Sequence, residues 1–347
     1  MSYKYSQHKI AWFPDKLCSM RDEITTSPIY IRIKPINRCC HNCSFCVYKS
    51  STSNMHKNMN SYDEISLEKM KEILTDIKDI GVKAITYSGG GEPLIHKDIE
   101  KILEDTINKG FDLSLLTNGQ FLTDTVSDML LDSKWIRISM DYVDGPTFVA
   151  SNRGTLNMFD ILCNNIKDFT SKKHTCDIGV NFIITKENYK HLENSIKLLI
   201  DLGIENVRYS PVWFPNFVSY HSSIQTEVLS KLEYIRKTYS NKMTIYDSYK
   251  IKEDVSNRTY NRCYSQQIVP VIGADCNIYT CHNKAYSEEG KIGSIKNCKF
   301  RDIWFSEKTK FHFNTFNPTL LCKHQCANDK KNIFINELIN CYGDNFI

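Results

Sequence analysis

Apolar runs alternate with amphipathic segments from residue 29 to residue 212, and this alternation leaves the chain few architectures to choose from. IYIRIKPI (29–36), AITYS (84–88), FDLSLLT (111–117), WIRISMD (135–141), CDIGVNFIIT (176–185) and NVRYSPV (206–212) read as strands. Between them, 66–81, 97–110, 123–132, 155–169 and 189–203 carry helical periodicity, and 226–239 adds one more helix. Strand–helix alternation of this kind predicts a parallel sheet covered by helices. Six units are too few for a closed eight-unit barrel, so the expected fold is α/β, an open, partial (β/α)6 TIM-like barrel. Ligands of such sheets sit at the C-terminal strand ends.

The 14 cysteines of the 347 residues are unevenly spread: four fall within 39–46, and six lie from Cys263 to Cys326. Cys18, Cys163, Cys176 and Cys341 stand alone and read as small buried hydrophobes. No stretch approaches the roughly 18–20 apolar residues of a membrane span. The N-terminus MSYKYSQHKIAWFPDK has no secretion core, so a cytoplasmic location is expected. In a reducing compartment clustered cysteines point to metal or redox chemistry rather than disulfides. A net charge of +4, from 44 basic and 40 acidic residues, gives no support for a nucleic-acid partner.

The loop after the first strand reads R-C-C-H-N-C-S-F-C, from Arg38 to Cys46. A zinc site from Cys40, Cys43, Cys46 and His41 lacks the usual pair of separated knuckles. A ferredoxin run fits Cys40, Cys43 and Cys46 but needs Cys-Pro where Ser50 and Ser51 stand. The third reading is Cys39-x3-Cys43-x2-Cys46 with Phe45 before the last cysteine. Three thiolates on a cubane leave one iron open, which turns an electron carrier into a catalyst. One strand later comes S-G-G-G-E-P-L (88–94). Gly89, Gly90 and Gly91 let backbone approach a ligand closely, and Glu92 suits an ammonium group. Its bland reading is a strand-to-helix turn.

These motifs, in this order, resemble the radical S-adenosylmethionine superfamily over residues 29–212. The resemblance implies a [4Fe–4S] cluster on Cys39, Cys43 and Cys46 whose open iron holds the amino and carboxylate groups of S-adenosylmethionine. It places Asn118 near the cofactor's amino-acid portion and Ser139 and Asp141 near its ribose, with Asn181 a further contact. It implies electron delivery by a reductase, flavodoxin or ferredoxin, giving methionine and a 5′-deoxyadenosyl radical that abstracts a substrate hydrogen.

Farther on stand Cys263, V-I-G-A-D-C-N-I-Y-T-C (271–281), G-S-I (293–295), R-D-I-W (301–304) and C-K-H-Q-C (322–326). They resemble the SPASM or shortened Twitch region of that superfamily, a small cysteine-rich C-terminal auxiliary-cluster domain. The resemblance implies one auxiliary [4Fe–4S] cluster on Cys263, Cys281, Cys322 and Cys326. A zinc site from the same four is the structural alternative. Where the family's hairpin tip has glycine this chain has Cys276, a ligand, hydrogen donor or bystander, the last being favoured. Asn277 is expected to take the left-handed turn conformation. From Cys263 onward helical periodicity is weak.

The expected division is 1–28 as an N-terminal extension, 29–240 as the barrel and 241–347 as the auxiliary domain. The expected substrate is a small polar metabolite, sugar-like or aminocyclitol-like, oxidised or epimerised. A peptide is the alternative, although the 28 residues before the first strand are too short for the recognition domain of peptide maturases, which can also be a separate protein. A non-enzymatic electron carrier or zinc-organised module is a third possibility, one with no need of the Gly-Gly-Glu segment.

Overall fold

Strand β1 (Tyr30–Ile33) buries Ile31 and Ile33 completely and turns Arg32 to its other face, the period-two pattern of a strand with two different surroundings. The computed structural model describes residues 6–49, 56–251 and 258–341, so Ser50 and Ser51 lie outside the described residues. β2 (Ala84–Tyr87), β3 (Asp112–Thr117), β4 (Trp135–Ser139), β5 (Asp177–Ile184) and β6 (Asn206–Pro211) follow β1 in spatial order, all parallel. β7 (Thr244–Asp247) pairs in parallel with β6, continuing the sheet past residue 240.

The crossovers are helical for local reasons. Helix Leu67–Asp79 starts where Ser66 Oγ accepts from Lys69 N at 3.2 Å. It buries Met70, Ile73, Leu74 and Ile77, one face at helical spacing. Gly81, at φ +87°, takes the left-handed turn that follows it. Helices Ile99–Asn108, Asp124–Met129, Leu156–Ser171 and Leu192–Asp201 fill the other crossovers. Strand β1 is shorter than the apolar run because Pro35 lacks the N–H that a central strand donates.

On the other side of β1 the C-terminal hairpin joins the same sheet. β8 (Val271–Ile272) runs parallel to β1, and β9 (Asn277–Tyr279) and β10 (Lys291–Ser294) add in antiparallel fashion. The order is β10-β9-β8-β1-β2-β3-β4-β5-β6-β7, a ten-stranded sheet that does not close. At the hairpin tip Cys276, not Asn277, takes the left-handed conformation, at φ +58°. Asp275 Oδ1 accepts from Asn277 N at 3.1 Å, which holds Asn277 in extended pairing and passes the turn to its neighbour.

Weak periodicity beyond Cys263 hid several helices, among them Phe300–Trp304, Glu307–Thr315 and Asp329–Asn340. They are short, and the longest buries the polar Asn332 beside Ile335, so no apolar stripe marks them. Ile335 of the last one shares a small core with Ile10, Met20, Tyr264 and Ile268, which ties residues before β1 to the C-terminal segment. Phe300, Trp304 and Phe313 belong to the main core of the barrel helices. Arg301 makes the junction specific: its backbone N–H donates to Asp76 Oδ2 at 2.8 Å, and its guanidinium bonds Asp76 and reaches Asp79 at 2.9 Å. Trp304 Nε1 donates to Thr26 O at 2.9 Å.

Asp76 is buried, so Asp76→Ala strands the Arg301 amide and removes a charge-assisted pair. The expected cost is about 2 kcal/mol, read as a lower urea midpoint, with Asp79→Ala costing much less because that carboxylate is exposed.

Candidate cluster and cofactor sites

The cysteine loop leaves the C-terminal end of β1 and lies against the segment leaving β2. Glu92 N donates to Arg38 O at 2.9 Å and Gly91 N to Ile36 O at 3.4 Å. A Cβ on Gly91 would stand 1.7 Å from Arg38 O, and one on Gly90 would stand 2.3 Å from Asn37 Oδ1. Two of the three glycines are therefore required by the cysteine loop itself. The amides of Gly91 and Glu92 are spent on that loop, a difference from the expectation that the motif's backbone waits for a ligand.

Glu92 is fully enclosed. Its carboxylate accepts from Leu94 N at 3.0 Å, Thr117 Oγ1 at 2.7 Å and Asn118 N at 2.6 Å. It thus pins the end of β3 to the end of β2. Burial pushes its pKa up to about 7, against the three hydrogen bonds that favour the carboxylate. Asn118, buried beside it, donates through Nδ2 to Cys40 Sγ at 3.1 Å.

Cys39, Cys43 and Cys46 are half-buried on one loop. Burial first, then Asp141, Cys46 and Cys39, raise the Cys43 thiol to about 11, while Arg153 opposes the shift. Arg153 is the buried cation of this corner. It pairs with Asp141, and its guanidinium lies 5.7 Å from the Phe45 ring centre and 5.2 Å from that of Tyr142. Asp141 Oδ2 and Arg153 Nε are buried without a hydrogen bond, and both are available to a ligand. The donor set fits a cationic metal cluster: three cysteines share one half-buried loop, and Cys43 is raised by burial and by its neighbours, so positive charge among them favours the thiolates. Ser139 and Asn181 are register neighbours on β4 and β5, across from the cysteine loop rather than on it.

The second set converges more tightly. One cavity is lined by Cys263, Cys281, Cys322 and Cys326 together with Arg258 and His324. Burial raises all four thiols, Cys322 to about 12 and Cys326 to about 11, and Cys263 is raised further by each of the other three. Hydrogen bonds already point at the sulfurs: Asn332 Nδ2 to Cys263 at 3.5 Å and Asn328 N to Cys326 at 3.4 Å. The backbone of Lys284 and Asn283 bonds Cys281. Arg258 is held by Asp329 at 2.9 Å and donates to His324 O at 2.7 Å. Cys276 is not part of this cavity. Among the described residues no group of three or more His, Cys, Asp or Glu side chains is arranged to hold a single metal ion.

The sequence reading missed Arg153, Arg258 and Lys34. Lys34 is completely buried between the two sets, with Nζ donating to Tyr48 OH at 2.5 Å and Gly89 O at 3.0 Å. Tyr48 OH in turn lies 3.2 Å from His282 Nε2, beside Cys281. Alternation in IYIRIKPI signals one polar strand face, which would have found Lys34. Nothing local marks Arg153 or Arg258.

A family profile described as the radical SAM superfamily matches residues 33–217, just over half of the chain. The tungsten-containing aldehyde ferredoxin oxidoreductase cofactor-modifying protein of Pyrococcus furiosus is 26% identical, with 91% of this chain and 92% of that protein aligned. The GTP 3′,8-cyclase of Campylobacter fetus is 29% identical over 61% of this chain and 63% of its own length. In fold, the chain is similar to Streptococcus suis SuiB bound to precursor peptide SuiA, at TM-score 0.64 and 15% identity over 97% of this chain and 80% of that one. No helix among the described residues is long and apolar enough to cross a membrane.

The raised Glu92 pKa has a signed consequence. Unfolded, the group titrates near its ordinary 4.5 and folded near 7, so between those values the native state holds the extra proton. Stability therefore falls as pH rises from about 4.5 to about 7. In protein free of S-adenosylmethionine, Glu92→Gln should flatten that stretch of a urea-midpoint profile.

Proposed function

The chain belongs to the radical S-adenosylmethionine superfamily and is an enzyme of it, and from that premise we propose that it oxidises or epimerises a small polar metabolite with the help of one auxiliary iron–sulfur cluster. The observation that carries the reading is the pair of cysteine sets on either side of β1, one on the strand-end loop and one around a cavity. When bound on these residues, a [4Fe–4S] cluster with S-adenosylmethionine would supply the radical chemistry by which a substrate hydrogen atom is abstracted.

In this reading Cys39, Cys43 and Cys46 hold the first [4Fe–4S] cluster, and Phe45 closes the loop over the cofactor. Gly89, Gly90 and Gly91 keep the strand-end backbone low enough to leave room for it. Glu92 fixes Asn118, whose side chain borders the amino-acid portion. Ser139, Asp141 and Asn181 offer oxygens and an amide toward the ribose. Arg153, buried beside the thiols with Nε unsatisfied, offers the cofactor's carboxylate a cation. The barrel is assigned to 29–240 with β7, Thr244–Asp247, added at its edge, and the auxiliary domain to the rest of 241–347.

Cys263, Cys281, Cys322 and Cys326 hold the auxiliary [4Fe–4S] cluster. A tetrahedral zinc site with Zn–S near 2.3 Å draws its sulfurs to within about 3.8 Å of one another. Among the described residues no three such side chains are arranged to hold a single ion, which favours a multi-iron cluster, whose bulk keeps thiolates farther apart. Hydrogen bonds to the sulfurs and the fixed cation Arg258 tune such a cluster. A peptide substrate is the second reading, favoured by the likeness to a fold that holds a precursor peptide.

Anaerobically reconstituted protein should carry about eight iron and eight sulfide, two cubanes, and form 5′-deoxyadenosine when reduced. Cys39→Ala should abolish that product and Cys40→Ala should retain it. Stoichiometric zinc without labile sulfide would end the reading. For the second site, Cys281→Ala should disrupt the auxiliary cluster and lower the iron count toward about four, whereas Cys276→Gly should leave it unchanged. Incubation with sugar phosphates, aminocyclitols and a panel of peptides, read by substrate-dependent 5′-deoxyadenosine, separates the two substrate classes.

A further inference from the structure

We propose that Arg32, Lys34 and Ser88 form a receptor for an anionic oxygen group, carboxylate or phosphate, carried by the substrate. The assignment of that anion to the substrate rests on the function proposed above. Ile31 and Ile33 face the helices, so Arg32 and Lys34 face the interior of the open barrel. β1 and β2 are in register with Arg32 opposite Thr86 and Ile33 opposite Tyr87. One step further, Lys34 stands beside Ser88, whose N–H donates to Ile33 O at 3.0 Å.

Three observations call for a ligand here. The Arg32 side chain, half-buried, makes no hydrogen bond or ion pair with any described residue. Ser88 is 1% exposed, and its hydroxyl has no hydrogen-bond partner, an arrangement that costs free energy unless something binds. Lys34 is wholly buried and has used two of its three N–H donors, on Tyr48 and Gly89. Burial first of all disfavours the Lys34 charge, and the surroundings carry groups of both signs. Arg32 acts against Lys34, and both lie near His282, while Asp275 and Cys46 are the groups that offset Lys34. An anion placed between Arg32 and Lys34 relieves their repulsion and completes the Ser88 hydroxyl.

The position gives the site its meaning. Lys34 touches Gly89 on one side and, through Tyr48, reaches His282 beside Cys281 on the other. A substrate anchored here lies between the cofactor site and the auxiliary cavity, where a hydrogen atom can leave toward one and an electron toward the other.

The test is calorimetric titration of the anaerobically reconstituted protein, saturated with S-adenosylmethionine, using potassium phosphate in one arm and sodium acetate in the other. Binding of at least one anion is expected, and the arm that binds tells phosphate from carboxylate. Arg32→Gln should weaken it about tenfold or more while S-adenosylmethionine affinity stays within about twofold. Ser88→Ala should also weaken the anion without lowering the urea midpoint, because its hydroxyl has no protein partner to lose. Absence of binding in both arms overturns the proposal. So does equal affinity in Arg32→Gln, or displacement of the anion by S-adenosylmethionine, which would place Arg32 in the cofactor pocket. The same preparation's 5′-deoxyadenosine yield reports separately on the proposed function. Cofactor cleavage without anion binding sinks the receptor alone, and anion binding without cleavage sinks the enzyme reading.

Discussion

Two residues of parallel pairing, Arg32 with Val271 and Ile33 with Ile272, join the C-terminal segment to the first strand of the barrel. Everything chemical in the molecule hangs on that seam. β1 launches the loop that carries Cys39, Cys43 and Cys46, while β8 and β9 launch the segment that carries Cys281 and His282. Because the two are neighbours in one sheet, a hairpin some 240 residues away in sequence is fixed beside the strand-end loop. Few ladder bonds hold so short a seam, and the rest of its strength comes from elsewhere. Phe300, Trp304 and Phe313 lie in the barrel's own core, and Arg301 is clamped by Asp76 and Asp79. The R-D-I-W segment is in this sense the anchor of the second cysteine set.

The two sites are built on different principles. At the first, the backbone does the shaping. Gly90 and Gly91 are needed where their segment meets the cysteine loop, and Glu92 spends its carboxylate on Leu94, Thr117 and Asn118. Removing Glu92 would therefore disturb the cofactor pocket by loosening the ends of β2 and β3 rather than by deleting one contact. At the second, side chains and loop amides converge on sulfur. Two segments, residues 283–284 and 328–332, supply hydrogen-bond donors to Cys263, Cys281 and Cys326. A thiolate that receives such donors is preorganised for a metal cluster.

The barrel was legible because burial on a parallel sheet leaves a periodic record. Met70, Ile73, Leu74 and Ile77 repeat at helical spacing, and the runs that became β1 to β6 are apolar with little interruption. The cysteine loop stood out by its spacing, although spacing by itself left three readings of it open. The C-terminal helices were not, since Asp329–Asn340 fully buries only Asn332 and Ile335, and a polar residue in the buried face leaves no apolar stripe to read. The hairpin tip shows a finer limit. Sequence preference put the left-handed residue at Asn277, but Asp275 captured the Asn277 amide and passed the strain to Cys276. Arg153 and Arg258 were invisible because each acts through long-range placement, one opposite Asp141 and the other opposite Asp329.

Charge is the thread that links these residues. Seven thiols stand in two buried or half-buried groups, and burial resists the ionisation of most of them. In a low-dielectric setting several neighbouring thiolates are tolerable only with positive charge among them. Fixed cations answer part of that need, Arg153 beside Cys43 and Arg258 beside Cys322 and Cys326. Each is itself held by a carboxylate, so its position does not depend on the thiolates. Lys34 completes the series between the sites but has no carboxylate bonded to it, and Arg32 next to it has none either. Where Arg153 and Arg258 are held by carboxylates, Lys34 is bonded only to the neutral Tyr48 hydroxyl and Gly89 carbonyl, and Arg32 to no described residue. That asymmetry is what sets the interior of the barrel apart from its two cysteine groups and makes it the place where an incoming anion has most to gain.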